Sequence, residues 1–122
     1  MLAALAPIVA ECDQSYRVYT EHPRLWLDAR RLRLLRRERQ RESVRWQQLQ
    51  LLEKSQVPLP EEPLLRALEY QVAGSEESGR RAASWAIERS GVPDRTELRL
   101  LAVVFDWCYP LFSDSNRARV AE

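Results

Sequence analysis

The chain has 122 residues, room for one domain that buries about two thirds of its surface and too little for a second core. A formal net charge of +1 excludes a generally basic, nucleic-acid-like surface and an acidic one alike. Two cysteines, Cys12 and Cys108, and one histidine, His22, make neither a disulfide framework nor a metal spacing, so no metal or cofactor is expected. Residues 1–21 read as an N-terminal tail. Residues 1–10 are apolar like the end of a secretion signal, but they lack a basic start and are interrupted by Pro7. They are far too short to span a bilayer, and Glu11 is the wrong neighbour for a lipid-bearing Cys12. A start codon placed inside a longer signal, or an ordinary terminus, accounts for them equally.

Pro23 forbids a helix through His22, so the lead-in to residue 27 is extended, with Leu25, Trp26 and Leu27 as apolar anchors. Asp28 is a good N-cap, and the spacing of Leu32, Leu35, Trp46, Leu49 and Leu52 predicts one long helix over 29–54. Arg39 and Glu42 fall where that apolar face should continue, which predicts a bend or a polar contact there. Eighteen of the nineteen basic residues are arginine, eight of them between Arg30 and Arg45, and codon bias in a GC-rich genome explains the excess. Arg33, Arg37, Arg41 and Arg45 recur every fourth residue and so form a row. A track for an anionic polymer is one reading of it. A solvated outer face is the ordinary one and the one adopted, since no aromatic interrupts the row to stack bases.

Residues 55–62 read as a linker broken by Pro58 and Pro60, after which Pro63 suits the first turn of a second helix. Leu64, Leu65, Leu68 and Val72 give that helix its stripe; Gly74 supplies a left-handed stop and Ser75 the next cap. The third helix, over 76–89, carries small residues that allow close approach, though Gly79 at its middle costs about 1 kcal/mol relative to alanine. Gly91 stops it.

A fourth helix runs over 94–109. Between Leu100 and Phe112 its only charged residue is Asp106, so it should be enclosed by other helices. Pro110 ends it, and Ser113 caps a fifth helix of at most nine residues before Glu122. So short a last helix makes the chain read as truncated. No run alternates as a strand does. The fold class is all-α, in antiparallel helical hairpins, and no strict repeat period supports a tetratricopeptide array.

Asp106 opposes the helix dipole at the end of the fourth helix and must gain something specific from its surroundings. Its expected partners are free amides at the start of the fifth helix, or Arg117 or Arg119. His22 reads as a structural or capping residue, and Tyr70 and Tyr109 as packing residues.

Three stretches carry a family resemblance over residues 22–119. Phe105-Asp106-Trp107-Cys108-Tyr109-Pro110-Leu111-Phe112-Ser113, followed by Arg117, resembles the Asp-Trp-x-Tyr-Pro-x-Leu-Ser corner of heparinase II/III-like polysaccharide lyases. His22-Pro23-Arg24-Leu25 resembles that family's His-Pro-Arg-Leu entry segment, and residues 67–75 resemble its Ala-x-Tyr-x-x-x-Gly-Asp hairpin. Ser78 departs from the pattern, which tends to have an aromatic there.

The resemblance implies that residues 22–122 form part of an α/α toroid, with a β-sandwich domain following in the full-length protein. It implies β-elimination on a uronate-containing acidic polysaccharide and a periplasmic or secreted location in a bacterium, with no nucleic-acid or membrane partner. The family's proton-transfer Tyr and His, and the Asn, His or Arg that neutralises the carboxylate, lie in later helices. No catalytic residue is therefore assigned, and the chain alone should be inactive. Asp106, Trp107 and Tyr109 are its candidate substrate contacts. The alternative is a small all-helical interaction or scaffold module without catalysis. An α/α-barrel glycoside hydrolase would need two placed carboxylates, and the sequence identifies no such pair.

Overall fold

In the computed structural model, residues 19–122 are described, so the tail readings at residues 1–18, Cys12 included, lie outside it. Six helices follow in order: α1 (Ala29–Gln40), α2 (Val44–Lys54), α3 (Glu62–Ala73), α4 (Glu76–Arg89), α5 (Arg95–Trp107) and α6 (Asp114–Ala121). A 3-10 turn, Tyr109–Leu111, joins the last two, and the described residues contain no strand. The fold class is all-α.

α3, α4 and α5 pack on one another, with α1 against α3 and α6 against α4. Residue neighbours give the directions. Tyr70 meets Gly79 near the α3–α4 turn while Pro63 lies beside Trp85 at the far end, and Trp85 lies beside Leu100 as Arg89 pairs with Glu97. Both pairs are antiparallel hairpins.

The caps form where side chains can supply them. Asp28 accepts from the Arg31 amide, Ser75 from Ser78 and Ser113 from Asn116, while Asp94 and Glu97 make a reciprocal capping box. Gly74 takes the left-handed conformation (φ 73°) that ends α3.

The predicted 29–54 helix is two helices. α1 ends in a Schellman motif: Glu42 adopts φ 48°, its amide bonds to the Arg39 carbonyl, and the Ser43 amide reaches back to Glu38 at 3.0 Å. Ser43 then caps α2 through the Trp46 amide. The break lies where the apolar face lapses. It also splits the arginine row, since Arg33 and Arg37 lie on α1, Arg41 is its C-cap and Arg45 belongs to α2. All four are exposed.

The core is built around α5 as the apolar run predicts, with Leu101, Val103, Val104, Trp107, Cys108 and Phe112 buried. Enclosure is one-sided at the start of the helix, where Leu98 and Ala102 face solvent. Facing α5 are Ala67 and Val72 of α3 and Ala82, Ala83 and Ala86 of α4. Gly79 belongs to this surface: a Cβ there would come within 2.6 Å of Leu111 Cδ1 and 2.8 Å of Tyr70 Cγ. Close approach of the tyrosine ring therefore explains the mid-helix glycine. Of the three lead-in anchors, only Leu27 is buried. Leu25 and Trp26 stand out from the surface, because their backbone groups rather than their side chains are held.

Candidate functional site

The last turn of α5 delivers Asp106 to a buried position, 3% exposed, beside the extended lead-in. Its two oxygens are divided between side chain and main chain. Oδ1 lies 2.6 Å from His22 Nδ1 and 3.9 Å from Arg24 Nε. Oδ2 accepts from the Arg24 amide at 2.7 Å and the Leu25 amide at 2.8 Å. Facing a carboxylate, Nδ1 carries the imidazole proton and donates it. Hydrogen bonds to a charged acceptor contribute about 1.5–3 kcal/mol each, enough to offset the unfavourable dipole of about 0.3–1 kcal/mol at a helix C-terminus.

The neighbouring residues complete a clamp on residues 22–25. Trp107 Nε1 donates to the Leu25 carbonyl at 2.9 Å, and Gln71 Nε2 in turn donates to the Trp107 carbonyl. The His22 ring stacks on Tyr109 with centroids 3.9 Å apart and planes 12° apart. Arg117 lies over the same tyrosine, 4.3 Å from its centroid, and donates to its carbonyl. The His22–Pro23 peptide bond is cis.

All three candidate contacts, Asp106, Trp107 and Tyr109, thus come together, and His22 joins them. Asp106 and Trp107 are buried and their polar atoms are engaged by the protein itself; Tyr109 is partly exposed. The expected partners of Asp106 at the start of the fifth helix are not the ones it has. Ser113 already satisfies the Asn116 amide, and Arg117 is drawn to Asp114, to the Tyr109 carbonyl and to the Tyr109 ring. That leaves Asp106 to the free amides of a segment more than eighty residues earlier. Cys108, next along, is a packing residue: burial pushes its thiol up to about 12, far from thiolate chemistry at neutral pH.

A second polar cluster lies where α2 meets the α3–α4 corner. Glu69 on α3 is buried, 7% exposed, and accepts from the Ser78 hydroxyl at 2.7 Å. Arg66 Nη1 lies 3.5 Å from Glu69 and 3.4 Å from Glu53 of α2. Burial pushes the Glu69 carboxyl up and the neighbouring Glu53 carboxyl pushes it further, while Ser78 and Arg66 work the other way. The cluster borders a cavity of about 220 Å³ between α2 and the α3–α4 corner, lined also by Trp46, Arg39 and Gln50. The two carboxyls share one cation, Arg66 Nη1, so both are engaged by the protein itself. Ser78 supplies the hydroxyl that a buried carboxylate needs. The signal was present, since Glu69 sits four residues after Leu65 and three before Val72, inside the apolar stripe.

No family model, no curated protein and no solved structure matches this chain. Among the described residues no helix is long and apolar enough to cross a membrane, and no three His, Cys, Asp or Glu side chains gather to hold a metal ion.

Proposed function

We propose that this chain is an N-terminal helical segment of a polysaccharide lyase-like protein of the heparinase II/III type, belonging to the wall of an α/α toroid and inactive by itself. The observation that carries the reading is that the two stretches that most resemble that family meet. Asp106 of the Asp-Trp-x-Tyr-Pro corner binds His22 and the amides of Arg24 and Leu25 in the His-Pro-Arg-Leu segment. Residues that resemble a family's motifs for unrelated reasons have no cause to form one buried network across eighty-four positions.

In this reading the Asp106 clamp docks the entry segment onto the first hairpins, and proton transfer is done by residues of later helices. The substrate is a uronate-containing acidic polysaccharide, and the place of action is the periplasm or outside the cell. The test is to express the full-length gene product and follow unsaturated uronate formation from alginate, chondroitin, heparan and polygalacturonate. Product from one of them upholds the reading. No product from any, in a folded preparation, overturns it.

A second reading, a non-catalytic helical scaffold module, draws on a different observation. Leu49, Leu52, Leu59, Leu64, Leu65 and Leu68 line an open, mainly apolar groove of about 420 Å³ between α2 and α3. In the toroid reading that groove receives a neighbouring part of the same protein.

A further inference from the structure

The clamp on the lead-in has an outward consequence. Backbone groups of three successive residues are held: the Arg24 and Leu25 amides by Asp106, the Leu25 carbonyl by Trp107, and the Trp26 carbonyl by Arg31 Nη1 at 2.8 Å. A tight turn closes over Trp26, with the Leu27 amide 2.7 Å from the Leu25 carbonyl, and the Leu27 side chain is buried beneath it. So fixed, Trp26 takes φ 58°, a left-handed conformation that bulky L-residues seldom adopt, while its side chain stands out, 51% exposed. Glycine would make the same turn without strain. No contact with the core accounts for a tryptophan at this strained position, and half of its surface is open to solvent.

A cation stands beside it. The Arg99 guanidinium of α5 lies 5.6 Å from the centre of the Trp26 ring system, and its side chain is about half exposed, whereas Arg24 is turned to the Tyr19 carbonyl and toward Asp106. Arg99 also pairs with Glu61. An indole face packs against the C–H face of a pyranose ring, and a guanidinium beside it takes a carboxylate through two parallel hydrogen bonds. An acid sugar offers both in one residue. A polyphosphate would need a wider positive field than this surface has, with a net charge of +1 and with Glu61 and Glu97 both paired to arginines at the edge of α5.

We propose that Trp26 and Arg99 form a surface platform for a uronate residue of an acidic oligosaccharide, held in place by the buried Asp106 clamp. The choice of ligand rests on the acidic-glycan reading above; the surface itself does not.

The test is titration of the 122-residue chain with hexamers of galacturonate, mannuronate and guluronate, with a neutral maltohexaose and with a hexauridylate, followed by the indole N–H resonance of Trp26. Trp26→Gly removes the ring and relieves the left-handed strain, so its melting temperature should not fall and lost binding cannot be blamed on unfolding. One uronate hexamer should bind and shift that resonance, with affinity falling about tenfold in Trp26→Gly and again in Arg99→Ala, and far less for the neutral hexamer.

Four results would overturn the platform: no binding of any uronate hexamer, binding unchanged in both variants, equal affinity for the neutral sugar, or tighter binding of hexauridylate. Self-association lost in Trp26→Gly would also do so, assigning the ring to a second copy of the chain instead. The two proposals fail separately. Binding sensitive to Trp26 in a full-length protein that forms no unsaturated uronate removes the lyase reading and keeps the platform, whereas elimination kinetics indifferent to Trp26→Gly, KM included, remove the platform alone.

Discussion

The α3–α4–α5 core and the α1–α2 flank are both helical but are built on different principles. In the core, alanine and glycine on α4 bring backbones close enough for Val104 and Cys108 to be wholly enclosed, and the most deeply buried carboxylate, Asp106, is matched by amides and an imidazole. α2 has no buried residue, and Val44, Leu51 and Leu52 lie half or more exposed on it. Apolar content alone therefore does not make a core. What separates the two regions is whether small residues let a neighbour come near enough to exclude water.

If that contrast is right, the largest loss comes from Asp106. Asp106→Ala strands three donors in a buried place, and removing one partner of a buried charged pair costs about 3–5 kcal/mol. In a domain of this size that lowers the melting temperature by more than about 10 °C. Thermal unfolding followed by circular dichroism measures it, and a midpoint within about 2 °C of the parent would mean that the lead-in is not docked at all.

Gly79 gives the next largest effect. Gly79→Ala gains about 1 kcal/mol of helix propensity but drives a methyl group into the Tyr70 ring, an overpacking loss of about 1–3 kcal/mol, so the net change is destabilising. Gly91, which has nothing within 4 Å of its missing Cβ, is the control: Gly91→Ala should leave stability equal or slightly higher. Equal melting curves for the two variants would mean that the α3–α4 contact is looser than these distances require.

These two sites also mark what the sequence could and could not reveal. Element order, the Asp28, Ser75 and Ser113 caps, the Gly74 stop and the burial of α5 follow from local chemistry and periodicity, and all are legible. The α1–α2 break is legible in part: the lapse of the apolar face at Arg39 and Glu42 predicts a bend there, but not a full stop, because the left-handed position that glycine usually marks is filled by Glu42. Asp106 announces itself as a carboxylate on an apolar helix, but its partners are set by tertiary structure, and nearby Arg117 proves to be occupied elsewhere. Trp26 reads as an anchor from composition and turns outward only because the main chain around it is tied down.

A smaller effect is expected at the edge of the core, where Glu69 joins α3 to α2 through Arg66 and Glu53. Burial first, and then the Glu53 carboxyl, raise its pKa above the unfolded value. The folded state therefore holds that proton more tightly. The stability this contributes is fully present below the unfolded pKa and is lost as pH rises through the folded one. Glu69→Gln mimics the protonated form and still accepts from Ser78. The difference in melting temperature, variant minus parent, should thus be least near about pH 4 and grow more positive toward neutrality. A difference that shrinks over that interval would mean that Arg66 outweighs burial.

The smallest effect should come from the flank. Leu51 is 67% exposed on a helix with no buried side chain, so Leu51→Ser removes little buried area and should stay within about 0.5 kcal/mol of the parent, where Val104→Ala, losing two enclosed methyl groups, should cost roughly 2 kcal/mol. Urea titration of both variants gives the comparison directly, since midpoints can be read at a common slope. The same pair can be measured in the longer protein that the toroid proposal calls for. If Leu51→Ser becomes as damaging there as Val104→Ala, the exposed leucines of α2 are an interface that another part of the protein covers; if it stays neutral, the flank is solvent-facing in its own right.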